Sequence, residues 1–180
     1  MSAMQAPLSE GPVPAAFRAA DDPKAFREVL GQFCTGLTIV TGQLPGGSRF
    51  GLTASSFQAL SLDPPLVLYS VRREAASVDL VRRAGGFCVN VLRDHHGPLA
   101  RRFGSAVEDR FAGEAWHESP SGAWRLPDAI AALDCRLWNI CEGGDHVIII
   151  GEVTAMSRSD GDPLLFFRGE FRPIGPAPHP

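Results

Sequence analysis

The 180-residue chain has a net charge of −3, and 44% of its residues are hydrophobic against 21% charged. This is the balance of an ordinary globular protein. The slightly acidic charge argues against a nucleic-acid binder that works through bulk charge. The chain holds no apolar run near the ~20 residues of a membrane helix, and its start lacks the pattern of a signal peptide. We therefore expect a cytoplasmic protein that binds neither nucleic acid nor membrane.

The chain shows no internal repeat and no linker that would divide it. We expect a flexible, Ala- and Pro-rich arm over residues 1–20, one domain over 21–172 and a Pro-rich tail over 173–180. The four cysteines form no CxxC pair, and no histidine stands at zinc-ligand spacing from them. They are expected to be reduced and structural, and we expect no metal site.

The first strong pattern predicts an amphipathic helix. Asp22 is suited to cap it, and Pro23 fits its first turn. Apolar residues then recur with helical spacing at Phe26, Val29, Leu30 and Phe33.

Strand patterns dominate the rest of the chain. A turn at 45–48 separates strands at 37–41 and 50–57, and a nearly all-apolar strand follows at 66–71. Further strands are predicted at 87–92, 131–141, 146–156 and 164–167, with short helices at 77–84 and 98–103 and a loop-rich segment at 104–128. Because sequential hairpins dominate, we expect a mainly β fold, an antiparallel barrel of six to seven strands with peripheral helices.

Small and hydroxylated residues follow one another at Thr53, Ala54, Ser55 and Ser56. Such a run makes a poor core strand, because buried hydroxyls need partners. It would suit the wall of a ligand site, where a flat ring approaches the backbone. The alternative is an edge strand with solvated hydroxyls, and composition alone favours it.

An anion-binding pattern follows the strand at 66–71. Ser70 and Val71 end the strand, Arg72 and Arg73 follow, and Ser77 opens a helix. Arginines and helix N-termini both favour anions, so Ser77 is a candidate for a phosphate ligand or a helix cap. The alternative is an ordinary cap beside a solvated basic turn, and the sequence alone favours it.

Two further polar residues stand out. Asn90 lies in an apolar strand, where its amide must bond either to the backbone or to the edge of a ligand. His146 stands between a Gly-Gly-Asp turn and a buried strand, where it would face a pocket as a hydrogen-bond donor or proton relay. The alternative for His146 is an ordinary structural histidine, with Asp145 as its neighbour in the turn.

Several common enzyme motifs are missing from the sequence. It contains no GxGxxG after a strand, no GxxxxGK[ST] phosphate loop, no GxSxG and no HExxH. A dinucleotide-binding βαβ domain and the motif-bearing hydrolases and metalloproteases are therefore not expected.

The segments in their order along the chain resemble the flavin reductase family, which has the FMN-binding split barrel and includes the reductase components of two-component flavin monooxygenases. The matching segments are 33–41, 51–57, 61–68, 87–92, 99–103, 110–113, 144–151 and 163–169. Each one is weak alone, but eight in the family order are specific, and together they extend over about residues 22–172.

The resemblance implies a function and a set of binding residues. It implies an NAD(P)H:flavin oxidoreductase that transfers a hydride from NADH or NADPH to FMN or FAD, the supply of reduced flavin to a partner monooxygenase, and a homodimer with flavin near its interface. The implied flavin-binding residues are Thr53, Ala54, Ser55, Ser56, Ser70, Val71, Arg72, Ser77, Asn90, Val91, Leu92, Arg168 and Phe171, with His146 as the catalytic residue beside the nicotinamide. The alternatives are a flavoenzyme acting on another organic substrate and a flavin-binding module without turnover.

Overall fold

A computed structural model describes residues 16–17 and 19–175. Most of the predicted arm over 1–20 lies outside the described residues, as does the end of the predicted tail, 176–180. The domain boundaries at 21 and 172 therefore stay predictions. Within the described ranges, no helix is long and apolar enough to cross a membrane.

The structure is mainly β, as predicted. The helices are α1 (Pro23–Leu30), α2 (Ala76–Ala84) and α3 (Gly97–Phe103), with a 3₁₀ turn at Asp94–His96. The strands are β1 (Thr35–Gly36), β2 (Thr38–Gln43), β3 (Arg49–Ala54), β4 (Gln58–Leu62), β5 (Pro65–Arg72), β6 (Gly86–Val91), β7 (His117–Glu118), β8 (Trp124–Arg125), β9 (Ala131–Gly143), β10 (His146–Arg158), β11 (Leu165–Phe167) and β12 (Glu170–Arg172).

One antiparallel sheet of seven strands forms the body, in the order β3-β2-β6-β9-β10-β5-β4. Six of these strands and α2 contribute apolar residues to a single core, so the sheet curls around it. Its fully buried members include Ile149, Phe87 and Tyr69, and the last two rings meet edge to face at 5.2 Å. This agrees with the predicted antiparallel barrel.

A second core lies outside the barrel and fixes the segment between α3 and β9. Phe103 of α3 packs against Phe111 and Trp116, with ring centroids 5.1 and 5.4 Å away. The predicted loop-rich segment is thus anchored by aromatic residues, and it also contains the short β7–β8 hairpin. Through these contacts α3 is held against β3, where several site residues lie.

Three local predictions are corrected by the structure. The strand predicted at 50–57 ends at Ala54, because residues 55–57 turn the chain into β4, a strand that the sequence analysis did not identify. Helix α2 begins one residue before Ser77, and its N-cap is Ala75 without a side-chain hydrogen bond. Ser77 is therefore not the cap. The short strand β12 was also not predicted.

Helix α1 begins where predicted and ends at Leu30, before the last residue of the predicted repeat, and its environment is unexpected. Asp22 caps it by accepting a hydrogen bond from the Lys24 backbone N–H at 2.8 Å, as expected. None of its residues is buried, however, and the apolar stripe at Phe26, Val29, Leu30 and Phe33 is 51–67% exposed. The stripe is therefore available for another surface rather than for the core of its own protomer.

Candidate functional site

Three of the predicted site segments meet at one end of the sheet. His146 begins β10 directly opposite Arg72 at the end of β5, and Ser70 lies two positions earlier on β5. The Ser56 hydroxyl donates to the Ser70 carbonyl at 3.1 Å and accepts from the Ser70 N–H at 3.0 Å. These bonds join the turn after β3 to β5, so residues far apart in the sequence form one wall.

The hydroxyls of this wall fall into two groups. Thr53 donates to the Ala100 carbonyl at 2.6 Å, and Ser56 is engaged with Ser70, so these two hydroxyls hold the scaffold together. Among the described residues, the half-buried hydroxyls of Ser55, Ser70 and Ser77 have no side-chain hydrogen bond. Because a half-buried hydroxyl favours a partner, these three are the candidate ligand-binding hydroxyls of the site.

A cleft of about 350 Å³ opens where the start of α2 meets the end of α3. Ser77 and Ser105 lie on its sides, Leu52 and Phe103 add apolar surface, and Arg110 completes the lining. The Arg110 guanidinium donates to the Gly51 carbonyl at 3.0 Å and to the Ser105 carbonyl at 3.1 Å. A fixed cation beside hydroxyls and a helix start suits an anionic group such as a phosphate ester.

His146 is held at the rim of the sheet by its own turn. Its Nδ1 lies 2.8 Å from the Asp145 carboxylate, and this hydrogen bond lowers the pKa of Asp145 below its ordinary value. The turn is fixed to the end of β5, because the Arg73 N–H donates to the Asp145 carbonyl at 3.0 Å and the Arg73 side chain pairs with Glu142 at 2.7 Å. The partly exposed His146 ring is thus oriented through Nδ1, while Nε2 has no hydrogen-bond partner among the residues that the structure describes.

The Asn90 side chain forms its hydrogen bonds with backbone groups of the protein. Its side chain is fully buried; the amide donates to the carbonyls of Ile39 at 3.1 Å and Trp124 at 3.2 Å, and its oxygen accepts from the Leu126 N–H at 2.7 Å. Of the two interpretations open from the sequence, this geometry matches the backbone-bonding one. Asn90 joins β2, β6 and the segment after β8, and its side chain has no donor left for a ligand.

Three other predicted binding residues also have buried side chains. Ala54 and Val71 belong to the barrel core, and Leu92 belongs to the second core. Ligand contact by these residues is therefore restricted to their backbone atoms. Val91, half-buried, lies opposite Thr38 of β2, which lies opposite Ala54, so the strand ends remain neighbours across the sheet.

Arg168 and Phe171 lie on a different flank. Phe171 packs near Gly97 of α3, and the Arg101 guanidinium covers its ring at 4.6 Å from the centroid. Arg168 lies in the β11–β12 turn, whose backbone is tied to α1 by the Arg168 N–H donating to the Gly31 carbonyl at 3.2 Å. Gly97 and Arg101 of α3 therefore contact this flank, whereas Phe103 at the end of the helix lines the cleft at Ser77.

The histidines beside α3 form a structural cluster. His95, His96 and Asp128 are close enough for one ion to reach all three. The Nδ1 of buried His96 accepts the Arg93 N–H at 3.0 Å, so in the neutral ring Nε2 carries the proton and offers no lone pair to a metal. Arg93 also pairs with Asp128 at 2.9 Å, which further occupies the carboxylate. This cluster is better suited to holding the chain together than to metal binding.

The four cysteines are unpaired thiols, as expected. Burial raises the pKa of Cys88 to about 12, and burial likewise raises the pKa of Cys135. Neither thiol is therefore activated as a nucleophile, because the thiolate is the reactive form.

Some lining residues were not identified as site residues in the sequence. Ser105 and Arg110 both line the cleft, and neither was among the binding residues predicted from the sequence. Lys24 and Arg27 line a cavity beside Arg168. Their spacing of three places both cations on one face of α1, a signal that the sequence does contain.

Comparison with known proteins places this geometry in context. Residues 30–175 match the family model described as the flavin reductase like domain. The reductase subunit HsaB of a flavin-dependent monooxygenase from Rhodococcus jostii is 45% identical over 158 residues, which cover 87% of this chain and 80% of that protein.

Solved structures agree with the sequence relatives. Nitrilotriacetate monooxygenase component B from Mycobacterium thermoresistibile superposes with a TM-score of 0.83 at 40% identity, covering 87% of this chain and 89% of the other. An NADH:FAD oxidoreductase from Streptomyces globisporus, in complex with NAD and FAD fragments, gives a TM-score of 0.85 at 35% identity over 92% of this chain and all of the other. The fold, the sequence match over most of the chain and the likeness to these structures agree: the chain belongs to the flavin reductase-like family.

Proposed function

We propose that the protein is an NAD(P)H:flavin oxidoreductase that reduces FMN or FAD and supplies reduced flavin to a partner monooxygenase. The observation that carries this is the wall at the sheet end, where available serine hydroxyls, the Arg110 cleft and His146 lie on connected elements in a chain of this family. The relatives named as reductase components of monooxygenases support the proposal of a partner monooxygenase. The structural neighbour named as an NADH:FAD oxidoreductase supports a nicotinamide nucleotide and a flavin as the substrates.

The residues present fit a flavin. The Ser77–Arg110 cleft has the donors that a phosphate ester needs, and the small residues after β3 leave backbone groups accessible to a flat ring. We propose that Ser55, Ser70 and Ser77 bind the flavin directly, with Arg72 nearby as an unpaired cation of the described region. Thr53 and Ser56 act by fixing the wall to α3 and β5. A bound flavin supplies the acceptor for a hydride from the nicotinamide.

His146 is proposed to orient the nicotinamide. Its Nδ1 is engaged by Asp145, so Nε2 is the nitrogen that can donate to or accept from a substrate amide. Asp145 and the anchored turn hold the ring in one orientation before substrate binds, which reduces the entropy that must be lost on binding. No side chain of the wall is required as a nucleophile.

We also propose a homodimer in which α1 is covered by a second copy. An isolated helix of eight residues is marginal in water, and this one buries no residue in its own protomer. Its exposed stripe of two phenylalanines, a valine and a leucine is the kind of apolar surface that marks an interface. The free thiols fit a reducing compartment, which supports the expected cytoplasmic location.

The function is tested by following oxidation of NADH and NADPH with FMN, with FAD and without flavin. We expect oxidation that requires flavin and saturates with its concentration, and the preferred pair identifies the cofactors. Flavin binding without oxidation of either nucleotide would instead assign the protein to the flavin-binding modules.

A further inference from the structure

A second cavity lies on the flank away from the Ser77 cleft, between α1 and the β11–β12 turn. Its volume is about 690 Å³, which is within the range of sites for nucleotide-sized ligands. The lining residues are Lys24, Arg27, Glu28, Gly31, Gln32, Arg168 and Gly169. We call it the α1 cavity.

Arg168 occupies a backbone position that does not favour arginine. It has a φ of 51° and Gly169 a φ of 82°, so both central residues of this two-residue hairpin are left-handed. Such a turn favours Asn-Gly or Gly-Gly, since a long side chain in the left-handed region is sterically disfavoured. The turn itself therefore does not explain why residue 168 is an arginine.

The guanidinium of Arg168 is fixed at the edge of the cavity. Its Nε donates to the Gln32 side-chain oxygen at 3.0 Å, and Nη2 donates to the same oxygen. The Phe167 ring lies beneath it, with 4.9 Å from Cζ to the ring centroid. Nη1 has no hydrogen bond within the part of the chain that the structure describes. The group is thus oriented in advance and still has donors to offer.

Helix α1 contributes two further cations. Lys24 and Arg27 are three residues apart and lie on the same face as Glu28 and Gln32. Within the described residues, neither these cations nor Arg168 forms an ion pair with a carboxylate. The lining therefore carries three cations against the single carboxylate of Glu28, a net charge of +2.

This face of α1 is opposite the apolar stripe. Within the helix, Lys24, Arg27 and Glu28 follow helical spacing on one side, and Phe26, Val29 and Leu30 follow it on the other. A second copy that covers the stripe therefore leaves the cationic face toward the cavity. The apolar stripe can therefore contact a second copy while the cationic face contacts a ligand.

We propose that the α1 cavity binds the adenosine diphosphate part of a dinucleotide substrate, with Arg168, Lys24 and Arg27 contacting the pyrophosphate. A pyrophosphate diester carries two negative charges, which match the net charge of the lining, and arginine is the side chain best suited to bidentate phosphate contact. Reduced nicotinamide dinucleotides and FAD share this group, whereas FMN lacks it. The inference rests on the proposed reductase function.

The left-handed turn provides a sharp test, because Asn is favoured at position 168. In Arg168→Asn the turn is retained and the cation is removed; in Arg168→Lys a cation is retained. ADP is titrated into the full-length wild-type chain and each variant by calorimetry, with adenosine as the ligand without phosphates. The matched control is Arg82→Gln, which removes an exposed cation from α2.

We expect ADP affinity to fall about tenfold in Arg168→Asn and to recover partly in Arg168→Lys, with the thermal midpoint of Arg168→Asn equal to or above that of the wild type. The double variant Lys24→Gln/Arg27→Gln is expected to fall by a similar factor, and Arg82→Gln to match the wild type. Equal ADP affinity in wild type and Arg168→Asn, or no ADP binding by the wild type, would overturn the proposal.

Substrate titrations identify which dinucleotide is bound. A raised KM for the nicotinamide dinucleotide with unchanged flavin binding assigns the cavity to the hydride donor; weakened FAD binding with unchanged FMN binding assigns it to FAD. If the chain reduces flavin normally but its ADP binding does not depend on these cations, the proposed function stands and the proposed subsite is excluded. ADP binding that depends on these cations, in a chain that does not reduce flavin, would support this subsite and exclude the proposed reductase function.

Discussion

At the scale of the residue, the structure separates side chains that hold the site from side chains that are available to a ligand. The sequence shows that Asn90 in an apolar strand needs partners, but not which ones. All three of its partners, Ile39, Trp124 and Leu126, lie more than 30 residues away in the chain, at separations of 51, 34 and 36. Only the fold brings them together, so the choice between backbone and ligand could not be made from the local pattern.

Replacing Asn90 should therefore damage the fold rather than the binding site. Asn90→Ala leaves the buried Leu126 N–H without its acceptor and removes a donor from the carbonyls of Ile39 and Trp124, and we expect the free energy of unfolding to fall by about 3 kcal/mol. Urea unfolding measures the loss, with exposed Asn139→Ala as the control. Normal stability together with loss of FMN binding would show that Asn90 contacts the ligand instead.

Replacing His146 should slow hydride transfer and leave FMN binding nearly unchanged. His146→Ala removes the oriented ring nitrogen from the rim of the sheet, and we expect hydride transfer to slow about tenfold or more while FMN binding stays nearly unchanged. His146→Gln, which retains a donor, should recover part of the rate. Single-turnover kinetics and an FMN titration separate the two effects; weakened FMN binding with normal transfer in the remaining complex would exclude this role.

The buried His96 makes stability depend on pH. Burial lowers its pKa, with the charge of His95 as the next cause, and protonation would remove the acceptor used by the Arg93 N–H. Since the unfolded chain then binds the proton more readily than the folded chain, stability is lost as pH falls below the ordinary histidine pKa of ~6.5, until His96 is itself protonated.

Urea midpoints measured between pH ~7.5 and pH ~5 test this dependence. We expect the midpoint of the wild type to fall with pH and that of His96→Asn, whose side chain keeps an acceptor, to fall less. Parallel pH profiles for the two proteins would mean that another group controls the acid sensitivity.

At the scale of the element, periodicity identified most of the helices and strands. Helix α1 and its start were predicted, because a cap and an apolar repeat are both local signals, whereas the repeat extends to Phe33, beyond the end of the helix at Leu30. Strand β4 was missed because the run of small residues before it was read as a continuation of β3. The apolar stripe of α1 also predicted the helix without indicating what covers it, since periodicity does not distinguish a core from an interface.

The α1 stripe leads to a prediction about assembly. Leu30→Glu places a charge in the centre of the stripe, and we expect the protein to become monomeric, since a buried unpaired charge is unfavourable at an interface. Val107→Glu is the control, as it changes an exposed apolar residue of the segment after α3 in the same way. Sedimentation gives the mass of each; an unchanged dimer in Leu30→Glu would place the interface elsewhere.

At the scale of the whole molecule, the family and the antiparallel barrel could be predicted, but the arrangement of the site could not. The sheet order β3-β2-β6-β9-β10-β5-β4 brings His146 beside Arg72 and leaves Arg168 on another flank, and no local pattern encodes that order. The predicted residues thus form two groups, one at the end of the sheet where His146 lies and one at the β11–β12 hairpin. We infer that a flavin and a dinucleotide would extend over both.

The central claim is that this chain transfers a hydride from a reduced nicotinamide to flavin, and anaerobic mixing tests it most directly. The protein is combined with oxidised FMN or FAD and then with NADH or NADPH, and loss of the oxidised flavin band is followed without oxygen. We predict rapid bleaching that requires the protein and saturates with nicotinamide concentration. Bleaching at the rate of the protein-free mixture for every flavin and nucleotide pair would contradict the account.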